Sequence, residues 1–213
     1  MGDRESVAQC LPNPDRDLST FPSRPVAAGT RWRRGHRREH EPWYFSSDGK
    51  GRFNLSEPWG TCYLASSDDV AARESIGPDI ARSSVITTYF LEGRVVSSLT
   101  LAESIMAAHV SSDDAFPFGV TGELCSMEKY QIPRQWAHNL HDSGFEGIWY
   151  HPQFSPGADA RAIAVFGPAG AASGEVHEQK DLRSVVQDMA IKVVDPDNLE
   201  EFEILDEPID TET

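Results

Sequence analysis

The sequence is poor in several features that would each have narrowed its class. Three cysteines in 213 residues, Cys10, Cys62 and Cys125, are odd in number and widely separated. They form neither a disulfide framework nor a zinc-knuckle pattern. No run of apolar residues approaches the eighteen needed to span a bilayer, and the N-terminus MGDRESVAQCLPNPDRD lacks the charged-then-apolar order of a secretory signal. These absences predict a soluble, cytoplasmic protein with no membrane association. Neither GxGxxG nor GxxxxGK[ST] occurs, which removes the commonest phosphate-cradling loops. Positive charge is also scarce, with 19 Lys and Arg against 34 Asp and Glu and a net charge of -15. Nucleic-acid binding needs a sustained basic surface, so an acidic chain of this kind is not expected to bind it directly.

What charge there is lies unevenly. Residues 1–40 hold eight arginines against five acids, and residues 195–213 hold nine acids and neither Lys nor Arg. The length suits one well-buried core with decorated ends. Residues 1–28 contain Pro12, Pro14, Pro22 and Pro25 among polar residues and read as an extended lead-in. Residues 29–194 read as the folded domain and 195–213 as a solvated acidic tail. Within the domain, CYLA (62–65), VITTYFL (85–91), VVSSLTL (95–101), GIWY (147–150) and AIAVFG (162–167) are short, bounded by turn residues, and predict strands. Ser67 before DDVAARES predicts an N-capped helix, and IPRQWAHNLHDSG predicts an amphipathic helix ending at Gly144. Strands and helices interleave without a βαβ rhythm, so the expected class is α+β, with a small mixed or antiparallel sheet and packed helices.

Three residues stand out for chemistry. The helix from Ser67 places Glu74 on its inward stripe with Val70 and Ala71, while Asp69 and Arg73 form an outward i,i+4 pair. A carboxylate on an inward face is either a structural ion pair or a site residue. Alternation along CYLA places Tyr63 on the face opposite Cys62 and Leu64. Arg52 follows the flexible DGKG turn, where its guanidinium can form bidentate bonds to a phosphate or carboxylate. The basic stretch RWRRGHRR (31–38) reads either as a site for one phosphate-bearing small molecule or as a solvated edge. Its continuation HRREH (36–40) fits the H-x-x-E-H zinc pattern, which requires a helix and a further ligand.

Taken together, Arg34-Gly35-His36, Gly51-Arg52-Phe53-Asn54, Tyr63-Leu64-Ala65 and Ala72-Arg73-Glu74 resemble, in order and spacing, the RES domain family of NAD-degrading toxins. RGHRREHEPWYF also resembles that family's opening segment, which accounts for the histidines without zinc. Gly147-Ile148-Trp149-Tyr150 and Ala164-Val165-Phe166 look like its later strands, so the likeness spans roughly residues 29–167. The family serine commonly stands two residues after the tyrosine of G-I-x-Y. Here that position is Pro152, and Ser155 in HPQFSPG is the candidate to supply the hydroxyl through a locally shifted loop.

The resemblance implies a fold similar to ADP-ribosyltransferases and an NAD phosphorylase or glycohydrolase that cleaves the nicotinamide–ribose bond, passing ADP-ribose to phosphate, water or a protein. Glu74 would stabilise the ribosyl cation, with Arg52, Tyr63 and Ser155 as its catalytic partners. Arg34, Arg52, Tyr63 and His36 would bind substrate, the arginines gripping pyrophosphate or incoming phosphate. NAD would be a substrate, with inorganic phosphate as co-substrate and no metal or cofactor. The resemblance further implies a bacterial toxin paired with an Xre-type antitoxin, often assembled into larger oligomers. Two alternatives remain: a catalytically silent NAD- or ADP-ribose-binding module, and a zinc hydrolase using HRREH.

Overall fold

In a computed structural model that describes residues 9–83, 85–189 and 191–198, the chain forms the strands β1 (Ser23–Val26), β2 (Arg31–Arg37), β3 (Tyr44–Phe45), β4 (Trp59–Ala65), β5 (Ile86–Thr87), β6 (Arg94–Thr100), β7 (Ile105–His109), β8 (Gly147–Tyr150), β9 (Ala162–Pro168), β10 (Gly170–Ala171), β11 (Glu175–Asp181) and β12 (Val193–Val194). The helices are α1 (Asp68–Ser83), α2 (Thr88–Leu91), α3 (Gln131–Asp142) and α4 (Leu182–Asp188), with short 3₁₀ helices at Asp113–Phe118 and Gly122–Cys125. Eight strands make one sheet in the order β1-β7-β8-β9-β4-β2-β6-β11. Its pairs are antiparallel except β7 with β8. The mixed, mainly antiparallel α+β class is therefore as the sequence predicts, but the sheet is larger than expected.

Two of its extra strands carry little apolar signal. β2 is RWRRGHR, yet it lies in the middle of the sheet between β4 and β6. The strand is viable there because each inner charge is satisfied. Arg33 Nε donates to Asp68 Oδ1 at 2.6 Å, and Arg34 is held by main-chain carbonyls. β11, EVHEQKD, is an exposed edge whose Lys180 bonds the other oxygen of Asp68 at 2.7 Å. The solvated-edge reading of residues 31–38 does not describe this central strand, two of whose arginines, Arg33 and Arg34, line a cleft.

VITTYFL was expected as a strand and is not one. Only Ile86 and Thr87 pair, and the Thr87 hydroxyl then accepts the Phe90 N–H at 3.2 Å, starting the single turn of α2. An N-capping threonine outweighs β propensity over so short a run. The Pro-rich lead-in also differs from a free extension. Leu18 and Phe21 join the core, β1 pairs with β7, and buried Gln9 Nε2 donates to the Gly119 carbonyl at 3.1 Å. Of the acidic tail, residues 199–213 lie outside the described residues; within 195–198, Asp197 accepts from the Tyr89 hydroxyl.

The two faces of the sheet are covered differently. One face packs Trp32, Cys62, Leu64, Leu99, Ile163 and Val165 beneath Trp43 and Phe45 from the loop after β2. The other carries two cores side by side. Under α3 lie Trp136, Ala137 and Leu140 with Ile148, Ala164 and Phe166. Under α1 and α4 lie Val70, Ala71, Ile76, Val96 and Leu182 with Ala65. The seam between these two cores is where the candidate site opens. Among the described residues no helix is long and apolar enough to cross a membrane.

Candidate active site

The N-cap forms as expected, with the Val70 N–H donating to Ser67 Oγ at 3.2 Å, and Asp69 and Arg73 pair outward at 3.9 Å. α1 then delivers Glu74 into the seam. Its Oε1 accepts the Phe154 N–H at 2.8 Å and the Ser155 hydroxyl at 3.4 Å. Ser155 is fully buried, so the loop after β8 does bring its hydroxyl to the carboxylate despite Pro152. Burial pushes the Glu74 pKa above its ordinary 4.5, partly opposed by the N–H of Phe154, the Ser155 hydroxyl and the charge of Arg52.

Arg52 and Tyr63 are joined by a hydrogen-bonded turn. The Tyr63 hydroxyl accepts the Phe53 N–H at 2.8 Å and donates to Asn54 Oδ1 at 2.9 Å, while Asn54 Nδ2 donates to Asp48 Oδ1 at 2.9 Å. Burial holds the Tyr63 pKa far above the usual phenol value, so the hydroxyl remains neutral and serves as both donor and acceptor. Only glycine fits at position 51. A Cβ there would stand 2.1 Å from Asn54 Oδ1 and 2.5 Å from the Tyr63 hydroxyl. From this turn Arg52 extends over the Tyr130 ring, 4.8 Å from its centroid, and donates to the Met127 carbonyl and to Gln153 Oε1. Tyr63→Phe is expected to cost about 1–3 kcal/mol, because it leaves the N–H of fully buried Phe53 without its acceptor. Urea unfolding of the two proteins measures this, and equal midpoints would show that the Tyr63 hydroxyl does not hold the turn.

Arg52, Tyr63 and Glu74 thus line one cleft of about 350 Å³. Of the other two predicted binding residues, Arg34 lines this cleft and His36 does not. β2 alternates, so Arg34 shares the face of Trp32, where its guanidinium donates to the carbonyls of Pro42 at 2.7 Å and Tyr44 at 2.9 Å and to Cys62 Sγ at 3.1 Å. These three bonds all come from Nη1, which staples the loop that covers the opposite face. His36 is buried beside it, with Nε2 2.7 Å from Ser97 Oγ and Nδ1 2.8 Å from the Arg37 carbonyl. Burial lowers its pKa, which suits a neutral structural histidine. HRREH is not helical either: His36 lies in β2, while exposed His40 lies in the bend that follows it. No His, Cys, Asp or Glu group among the described residues has the geometry to hold a metal. This geometry gives HRREH no basis as a zinc site.

The cleft also holds residues that sequence reasoning passed over. Lys50, Arg94 and Tyr130 line it, and so does Tyr150, the last residue of GIWY, whose phenol pKa is raised by burial and by the nearby charge of Glu74. Alternation along β8 was the available signal for Tyr150. Nothing local marked Lys50 or Arg94, which reach the cleft only through the folding of a turn and of β6. A carboxylate bordered by several cations, in a protein otherwise strongly acidic, is a setting for an anionic substrate on which positive charge develops.

The RES domain profile matches residues 24–187. The chain belongs to the RES family. Its fold is that of a chain in the crystal structure of the M. tuberculosis MbcT-MbcA toxin-antitoxin complex, with a TM-score of 0.58 at 13% identity over 76% of this chain and 90% of that one. A comparison with curated proteins gave no significant match. The RES match begins inside β1 and ends in α4, so it covers every strand of the main sheet.

Proposed function

We propose that this RES protein cleaves the nicotinamide–ribose bond of NAD and acts as the toxin of a toxin–antitoxin pair. The observation that carries the reading is the Glu74 carboxylate, held by the Phe154 N–H and the Ser155 hydroxyl at the wall of a cleft that Arg52 and Lys50 also line. When the bond breaks, its electron pair leaves with nicotinamide, which becomes neutral, and positive charge moves onto the ribose. An anionic carboxylate beside the ribose hydroxyls is stronger in that transition state than in the ground state. Arg52 positions the pyrophosphate. Gln153, its exposed partner, is the contact that an anion would replace. Tyr63 and Tyr150 offer ring faces to the nicotinamide end.

The acceptor completes the balance. A phosphate dianion attacks the cationic carbon directly and loses no proton. Water must release one, and Glu74, with its raised pKa, is the base at hand. The purified protein is expected to release nicotinamide from NAD, and product analysis with and without phosphate distinguishes phosphorylase from glycohydrolase. Wild type as inert as Glu74→Ala under both conditions would overturn the reading. If NAD raised the melting temperature without product, a silent binding module would replace it.

The toxin role is supported by the family and by the MbcT-MbcA fold neighbour. Its partner would be an Xre-type antitoxin that covers this cleft within a larger oligomer. Induction of the chain alone in bacteria should arrest growth, and a Glu74→Ala chain should not.

A further inference from the structure

A second cavity, about 690 Å³, lies beyond Arg52 between the end of β7, the two 3₁₀ helices and the loop after β8. It is not separate from the first: Cys125 and Gln153 line both. Arg52 stands at their junction, bonded to Gln153 and to the carbonyl of Met127, next in chain to the cavity residue Ser126. Small-molecule sites range over about 300–1,000 Å³, and the Glu74 cleft alone is at the lower end of that range. A dinucleotide has two nucleoside halves joined by a pyrophosphate. Here two neighbouring cavities meet at an arginine.

The walls of the second cavity suit one of those halves. Phe116 is 73% exposed at its edge, the most exposed of the large hydrophobic side chains described. A planar base stacked on that ring would cover it. Asp113, three residues earlier in the same 3₁₀ helix, lines the cavity with an exposed carboxylate that makes no ion pair among the described residues. A carboxylate accepts the hydroxyls of an unmodified ribose and repels a 2′-phosphate.

Building on the NAD reading above, we propose that this cavity receives the adenosine half of the dinucleotide, with Phe116 stacked on adenine and Asp113 accepting from the ribose hydroxyls. Arg52 then spans the pyrophosphate at the junction, while the nicotinamide ribose lies against Glu74. Asp113 makes the enzyme select NAD over NADP.

The test is steady-state kinetics of the full chain with NAD, NADP and nicotinamide mononucleotide, which lacks the adenylate. In Phe116→Ala the ratio of kcat/KM for NAD to that for the mononucleotide is expected to fall about tenfold, carried by KM for NAD. Asp113→Asn should narrow the preference for NAD over NADP. An unchanged NAD-to-mononucleotide ratio in Phe116→Ala would overturn the assignment. If wild type releases nicotinamide from neither substrate, what fails is NAD cleavage, and calorimetric titration with ADP then decides for the cavity. Weaker ADP binding by Phe116→Ala than by wild type supports the adenosine site, and equal binding overturns it.

Discussion

Glu74→Gln is expected to lower kcat for nicotinamide release by about 10²–10³-fold while leaving the protein folded. The amide keeps the shape of the side chain and can still accept the Phe154 N–H, so what is lost is the negative charge that the proposed reaction sets opposite a developing ribosyl cation. The same group sets a pH dependence. Its pKa lies above 4.5 because burial disfavours the charged form more than Phe154, Ser155 and Arg52 restore it. The carboxylate acts when ionised, so kcat/KM of wild type should decline as pH falls through that raised value, earlier than for an ordinary glutamate. Stability runs the other way. The native state holds this proton more tightly than the unfolded chain, so the group's contribution shrinks as pH rises from about 4.5 to the raised value. A pH–rate profile of both proteins checks the first claim. An acidic limb that persists unchanged in Glu74→Gln would assign it to another group.

Gly77→Val should cost about 10²-fold in kcat although residue 77 does not line the Glu74 cleft. Gly77 stands one turn from Glu74 on α1, and the Phe154 ring packs directly on it. A Cβ at 77 would lie 2.1 Å from Phe154 Cγ and 2.5 Å from both Cδ atoms, so the ring and the loop behind it must move. That loop supplies the two hydrogen bonds that orient Glu74. Displacing it by about 1 Å misaligns the carboxylate, and the overpacking should destabilise the fold by about 1–3 kcal/mol. Denaturation and kcat measured together test this. A stable Gly77→Val enzyme with wild-type turnover would show that the Phe154 wall does not position Glu74.

How far the sequence could be read depended on whether a signal was local. Ser67 and the two acids after it announced α1, and the alternation of CYLA put Tyr63 on the face away from Cys62 and Leu64, as found. Two of the strands that were missed, β2 and β11, are strongly charged. A strand normally declares itself by apolar alternation, but β2 carries arginines whose charges are answered by Asp68 from α1 and by carbonyls of the loop at 42–44. None of those partners is visible from the strand's own sequence. For a related reason His36 was misplaced and Arg34 Nη1 bonds on the opposite face, since a one-residue step in a strand changes the face of the sheet. The R-G-H pattern fixes their order, not the side on which the cleft opens.

Composition, the N-cap and the turn chemistry of GRFN together determined the class of the fold and three side chains of the cleft: Arg52 on a turn, Tyr63 on a strand, Glu74 on a helix. These are local choices, made by propensity and periodicity within a few residues. Everything that makes the three into one site was decided by the tertiary structure. The seam between two cores on one sheet face, the return of the 153–155 loop onto Glu74, the cations from Lys50 and Arg94, and the second cavity beyond Arg52 all bring together residues far apart in the chain. Packing and long-range hydrogen bonds fix such distances, and no short stretch of sequence contains them.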